Sequence, residues 1–277
     1  RPVSSAASDV YKRQLTYTGA SANDKNVVTA NKYITSITLG DATDGSGGVA
    51  TNYQLPTFSH PNAPVTITSK ALTISGLSSA DKVYDATISA VLSGSASLQT
   101  SITGGTGTDS DGRPYTGDTI SLFGTEVANF NDKDVADATT VSFSGLSLSG
   151  AEAGNYSLST HADSSHSITA KALTISGLSS ADKVYDATIS AVLSGSASLQ
   201  TSITGGTGTD SDGKPYMGDT VSLSGTAVAN FDDKDVADAT TVSFSGLSLS
   251  GAEAGNYSLT THADSSHSIT AKALTIS

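Results

Sequence analysis

The chain repeats itself. Lys70-Ala71-Leu72-Thr73-Ile74-Ser75 returns as Lys171-Ala172-Leu173-Thr174-Ile175-Ser176 and again as Lys272-Ala273-Leu274-Thr275-Ile276-Ser277, a period of 101 residues. Residues 70–170 and 171–271 differ at seven positions: Arg113/Lys214, Thr116/Met217, Ile120/Val221, Phe123/Ser224, Glu126/Ala227, Asn131/Asp232 and Ser159/Thr260. Such a period restricts the fold more than composition does, because each repeat must be one structural unit able to stand beside an equal. A repeat of this length fits one globular module, whereas solenoid β-helices repeat on a much shorter scale of roughly 20 residues per coil. Beads on a string are expected, with a continuous β-helix as the alternative.

Residues 15–69 read as the second half of a diverged preceding module. Asn23-Asp24-Lys25-Asn26-Val27 parallels Asn131-Asp132-Lys133-Asp134-Val135, and Asn52-Tyr53 parallels Asn155-Tyr156. The expected division is a half-module at 15–69, complete repeats at 70–170 and 171–271, and the start of another module at 272–277. Ser4-Ser5-Ala6-Ala7-Ser8-Asp9-Val10-Tyr11-Lys12-Arg13-Gln14 resembles the translation of a sequencing-library adapter. Residues 1–14 are therefore treated as non-native and kept out of the fold argument.

Within a repeat the apolar residues alternate. Ile88, Ala90 and Leu92 read as one strand, Thr119-Ile120-Ser121-Leu122 as another, and Val141-Ser142-Phe143 as a third. At Gly145 the phase slips by one and Leu146-Ser147-Leu148 continues on the opposite parity, which predicts a bulge or bend. The same slip at the repeat junction, from Ile168-Thr169-Ala170 to Leu173-Thr174-Ile175, predicts one extended segment serving two cores. No Gly/Ser or Pro linker intervenes, so the joint is expected to be stiff. Thr, Val, Ile and Tyr favour strands, and long runs of helix formers are missing. The expected fold is all-β: tandem antiparallel β-sandwich modules, Ig-like, in an elongated array.

The net charge of −12 argues against a nucleic-acid partner, which needs a basic surface. No apolar run reaches the length of a membrane span. The absence of Cys excludes a disulfide framework and thiolate metal sites.

Few residue clusters carry chemistry. Gly104-Gly105-Thr106-Gly107-Thr108 lacks the Lys-Ser/Thr and the helix of a phosphate cradle and reads as a plain loop. Asp109-Ser110-Asp111-Gly112 with Asp118 forms part of a calcium-loop pattern, and Asn131, Asp132, Asp134 and Asp137 form a second acidic cluster. Both read as solvated loops, with calcium as the alternative, since Ca²⁺ needs six to eight oxygens. His161 and His166, with His262 and His267, read as strand-end histidines rather than metal ligands. Tyr84 and Tyr185 read as core tyrosines with satisfied hydroxyls, the alternative being exposed binding residues. For Lys82, an isopeptide bond to a neighbouring Asp or Asn is chemically open. No nucleophile elbow appears, and an enzyme rarely needs identical active sites in a row. No catalytic, cofactor-binding or metal residue is assigned.

Asp81-Lys82-Val83-Tyr84-Asp85-Ala86-Thr87, Gly117-Asp118-Thr119, the run from Val141 to Gly150 and Gly154-Asn155-Tyr156-Ser157-Leu158 resemble the YDG-type module of large bacterial surface adhesins and filamentous-haemagglutinin-like proteins. The second copy, from Asp182-Lys183-Val184-Tyr185-Asp186-Ala187-Thr188 on, carries all of these. The likeness covers 71–271 well and 15–69 weakly. Ala86 and Ala187 stand where the family has Gly, which suits a turn needing positive φ, so a different local turn is expected. The resemblance implies tandem arrays in secreted, cell-surface proteins and brings no catalytic residues.

The expected function is therefore the stalk of an extracellular adhesin, with neighbouring modules as partners. The alternative is that each repeat binds a host or matrix glycan or protein by avidity.

Overall fold

A computed structural model describes residues 15–43, 47–159, 164–260 and 265–276. The adapter-like segment, His161 and His262 lie outside these. Among the described residues the chain is all-β, with short strands in open sheets and three single 3-10 turns. None of its helices is long and apolar enough to cross a membrane.

Two compact units result. Unit 1 takes residues up to 75, 96–125 and 146–159, and unit 2 takes 76–95, 126–145 and 160–277. One of the boundaries falls at Gly145, where the alternation changes phase. Gly145 has φ +87°, a left-handed conformation that costs a side-chain-bearing residue about 1–2 kcal/mol.

Unit 2 is built on a long hairpin. Strand Ser222–Phe231 pairs antiparallel with Thr241–Ser250, which carries Ser265–Ser266 on its other edge. The register shifts between Gly225 and Val228, opposite Gly246. A Cβ on Gly246 would stand 2.3 Å from the Thr226 carbonyl oxygen, so the two strands approach there as only glycine permits. Beyond the bulge the alternation decides burial: Val242 and Phe244 face inward, Ser243 and Ser245 outward. They pack with Ile175, Leu178, Ala229, Phe231, Ala239 and Ile269 into one core. Fully burying side chains such as Phe231 and Ile269 contributes about 1.5–3 kcal/mol each. The outer face is tied by serine pairs instead: Ser222–Ser250 hydroxyls stand 3.1 Å apart and Ser224–Ser248 2.8 Å.

The repeat junction lies inside unit 2, and its phase slips mark changes of partner. Ile168–Thr169 pairs parallel with Lys82–Val83 of its own repeat. One residue later, Lys171–Leu173 pairs parallel with Tyr257–Leu259 of the next. Ile175–Ser179 then pairs antiparallel with Ser194–Leu199. The chain thus passes between repeats through the single residue Ala170, which separates the two short strands. These short parallel ladders correct the expectation of purely antiparallel pairing. Strands separated by most of a repeat need no hairpin and can align in the same direction.

In unit 1, Lys70–Leu72 pairs parallel with Tyr156–Leu158, and Thr16–Ala22 forms an antiparallel pair with Ile34–Gly40. The 3-10 turn Ala50–Asn52 before Tyr53 matches Ala153–Asn155 before Tyr156, as the Asn-Tyr parallel predicts.

Two strand expectations need correction. Residues 88–92 are not a strand: Ser89 makes one isolated bridge to Asn129, and the strand runs over Ser93–Leu98. The alternation itself holds in part, since Ala90 and Leu92 are half-buried and their counterparts Ala191 and Leu193 pack against the unit 2 core, while Ile88 is 47% exposed; what is missing is a continuous ladder partner. The strand begun at Thr119 starts at Ser121 and runs to Phe130.

Candidate functional site

Each unit contains the same joint between a repeat and the module before it, assembled from polar side chains. In unit 2 it begins with a local clamp. Lys82, its side chain 9% exposed, donates from Nζ to the Asp85 carboxylate at 2.6 Å and to the Thr87 and Ser89 carbonyls, both at 2.8 Å. Asp85 in turn accepts the Thr87 N–H at 2.9 Å. The ammonium thus bends residues 82–89 into a closed turn, with the Phe130 ring 5.6 Å below it. Ala86 sits in this turn at φ +62°, and Ala187 in the second copy at +66°. The expectation of a different turn is thereby corrected: Ala takes the left-handed position usual for Gly, because the clamp on both sides leaves the backbone no other path.

The turn projects Tyr84, which is 1% exposed. Its hydroxyl donates to Asp219 Oδ2 at 2.9 Å, and the Tyr257 hydroxyl donates to the same oxygen at 2.5 Å. Tyr84 meets the rings of Tyr257 and Tyr216 edge-on, with centroids 5.3 and 5.9 Å away. Burial, reinforced by the Asp219 carboxylate, pushes both the Tyr84 and the Tyr257 phenols well above their ordinary value. Both hydroxyls therefore remain donors throughout the neutral range.

Beside the tyrosines, the Val135 N–H donates to Asn256 Oδ1 at 2.8 Å, while Asn256 Nδ2 donates to Asp134 at 2.8 Å. Gly206 N–H closes the contact on the Asp85 carbonyl at 2.7 Å. Beneath lies Lys171, fully buried. Its Nζ is 3.0 Å from Asp212 and 3.1 Å from the Tyr216 hydroxyl, and 4.1 Å from that ring's centroid. Burial pushes this ammonium down, but Tyr216 and Asp212 outweigh it and the net shift is upward. Burial likewise pushes Asp212 up, and the N–H groups of Lys214 and Thr209 together with Lys171 prevail, holding it at about 2.

Unit 1 reproduces part of the set, with residues before 70 in place of repeat 1. The Val27 N–H donates to Asn155 at 2.8 Å, and Asn155 Nδ2 to Asn26 at 3.0 Å. Tyr156 donates to Asp118 at 2.6 Å and receives the Tyr115 N–H at 3.0 Å. Lys70 lies 2.8 Å from Asp111 and 4.3 Å from the Tyr115 ring centroid. Its ammonium is held by that charge and that ring, without the hydroxyl bond that Lys171 has. The Lys70 ammonium, helped by the Arg113 and Thr108 N–H groups, holds the Asp111 carboxyl at about 2.

Several of the remaining sequence candidates have local partners. Asp111 accepts the Thr108 and Arg113 N–H groups as well as Lys70. Asn131 accepts the N–H groups of Thr139 and Thr140, and Asp132 that of Asp134. Asp134 pairs with Lys133 at 2.7 Å. In the second repeat Asp233, Asp235 and Asp238 bring oxygens within 4.8 Å of one another, with Lys234 on both oxygens of Asp235. His166 and His267 each lie 3.3 Å from an aspartate, Asp81 and Asp182. The loop at Gly104 and Gly105 borders the unit 1 joint, and its counterpart at Gly205 and Gly206 touches Ala86 and Thr87.

Sequence reasoning placed Asp118 only in a candidate calcium loop and gave no contact role to Asn155, Tyr156 and Lys70 or to their counterparts in the second repeat. One signal was available: the pieces that the diverged half-module shares with the repeats, around Lys25-Asn26-Val27, are the ones that line the joint.

Comparison with known proteins adds one relationship. No curated protein and no solved structure matches the chain. The family model of the YDG domain matches twice, over residues 68–164 and 169–265, which together make up most of the chain. The two copies of the Tyr-Asp turn and its receiving joint are thus the work of a chain that belongs to the YDG domain family.

Proposed function

We propose that this chain is a segment of the stalk of a secreted bacterial surface adhesin, in which Ig-like β-sandwich modules form an elongated array and hold a distal binding region away from the cell. It acts through its mechanics and not through catalysis. The observation that carries the reading is the junction at Ala170. The strand partner changes from one repeat to the next within two residues, and buried tyrosine, asparagine and lysine contacts lock the place. A linker-free, polar-locked joint resists bending, which is what a spacer requires. An acidic surface keeps neighbouring arrays apart.

The reading in which each repeat binds a ligand by avidity is less well supported. Avidity needs the same site in each copy. The exposed aromatic of the repeats is not shared: Phe123, 69% exposed, has Ser224 at the equivalent position of the other repeat, and the exposed apolar pairs that both copies do share, Ile88/Ile189 and Val91/Val192, are aliphatic.

The test is an array of glycans and extracellular-matrix proteins probed with the full chain. No saturable binding is expected. Saturable binding that is lost when equivalent surface residues of both repeats are changed would replace the stalk by the avidity reading.

A further inference from the structure

The two joints are not equally complete. In unit 2 the Tyr84 turn caps the joint. In unit 1, Lys25, Asn26 and Val27 stand at the joint, no tyrosine turn caps it among the described residues, and a cavity of about 620 Å³ opens at the corresponding place. Its walls include Gly104, Gly105, Tyr115, Asp118, Asn155 and Tyr156. Their counterparts, Gly205, Gly206, Tyr216, Asp219, Asn256 and Tyr257, are the residues that meet the Tyr84 turn or flank it.

The differences match one missing group. A Cβ on Gly104 or Gly105 would meet nothing within 4 Å, whereas on Gly205 it would stand 3.3 Å from the Ala86 Cβ and on Gly206 3.3 Å from the Thr87 methyl carbon. Tyr216 and Asn256 are buried at 3% and 5% exposure, but Tyr115 and Asn155 are half-buried. Asp219 Oδ2 accepts two phenols, and Asp118 Oδ2 accepts one.

We propose that the unit 1 cavity is a binding site for the Tyr-Asp-Ala turn carried by the first half of a YDG module, seated as the Tyr84 turn is in unit 2. The phenol donates to Asp118, the ring lies against Tyr115 and Tyr156, and the Asp carbonyl accepts the Gly105 N–H. The occupant can be preformed, because the Lys82 clamp that shapes the turn lies wholly within residues 82–89. A second copy of this chain fits less well. Its Tyr185 turn would bring Lys234, Asp235 and Val236 with it, and Lys25, Asn26 and Val27 already hold that place. This inference goes beyond the stalk reading, since it concerns what the cavity accepts and not where the array works.

The test uses the full 277-residue chain and a backbone-cyclised peptide of residues 81–89. Titration followed by amide NMR should saturate, with shifts at Gly105, Tyr115, Asn155 and Tyr156. Signals of Tyr216 and Asn256, whose joint is already capped, should stay in place. The peptide with Tyr84→Ala should not bind. Gly104→Leu, placed where the free chain has open space, should leave the melting temperature unchanged and weaken the peptide by at least about tenfold. No shifts at the solubility limit of the peptide overturn the proposal, as does binding indifferent to Gly104→Leu. Self-association of the chain that Tyr185→Ala abolishes would assign the site to a second copy and overturn it equally.

Discussion

Ala86 and Ala187 hold a left-handed conformation that glycine adopts without strain. Replacing either by Gly should therefore raise stability, by about 1 kcal/mol per site in urea unfolding, despite the added freedom of the unfolded chain. The buried pair Lys171–Asp212 sets a second expectation. Asp212 is held at about 2 in the folded state, below an unfolded value near 4. Its contribution is complete above about pH 4 and lost as the pH falls towards 2. Thermal unfolding between pH 5 and 2 should show this loss, and Asp212→Asn should remove part of it. At the alkaline end the sign reverses for the phenol of Tyr156, which burial and Asp118 push up to about 12. Its contribution is complete below about pH 10 and lost as the pH rises through about 12. Among these residues the sequence showed the unusual Ala but not its conformation, which the surrounding clamp of Lys82 imposes.

At the scale of elements, the long hairpin of unit 2 depends on close strand approach at Gly225 and Gly246. Gly246→Ala would place a Cβ against the Thr226 carbonyl and force a strained φ, at a cost of about 2 kcal/mol measurable by chemical denaturation. Phe123→Ser, by contrast, copies the second repeat at a solvent-facing position and should change stability by less than about 0.5 kcal/mol. The glycine was legible as a phase slip in Val141-Ser142-Phe143-Ser144-Gly145-Leu146, because alternation is a local property. Residues 88–92 alternate just as well and form no strand. The pattern says which side chains share a face, as Ala90 and Leu92 do, but a strand also needs a ladder partner, and here only the single bridge from Ser89 to Asn129 forms.

For the whole molecule, identical residues in near-identical repeats acquire different energies. Tyr84 is buried against Tyr216, Tyr257 and Asp219, while Tyr185 remains half-buried. Tyr84→Ala should cost about 3–5 kcal/mol, in the range of large aromatic deletions from a core, and Tyr185→Ala clearly less. Tyr84→Phe keeps the ring and should cost only about 1 kcal/mol, since Asp219 retains the Tyr257 hydroxyl. Hydrogen exchange at Val135 and Gly206, whose amides donate across the joint, would report its loosening directly. Equal effects of Tyr84→Ala and Tyr185→Ala would mean that the joint adds nothing to the stability of a repeat.

By itself the sequence determined the period, the strand-rich character and the place of the main bulge, since period and alternation are properties of neighbours along the chain. It also marked Ala170 as a junction without a linker. The tertiary structure alone decided that the short ladders beside Ala170 run parallel, and which polar residues meet there. Tyr84 and Asp219 are 135 positions apart, and nothing local to either one encodes their encounter. It arises because the last strand of one repeat and the first of the next are separated by Ala170 alone, so the turn of the first is delivered to the pocket of the second.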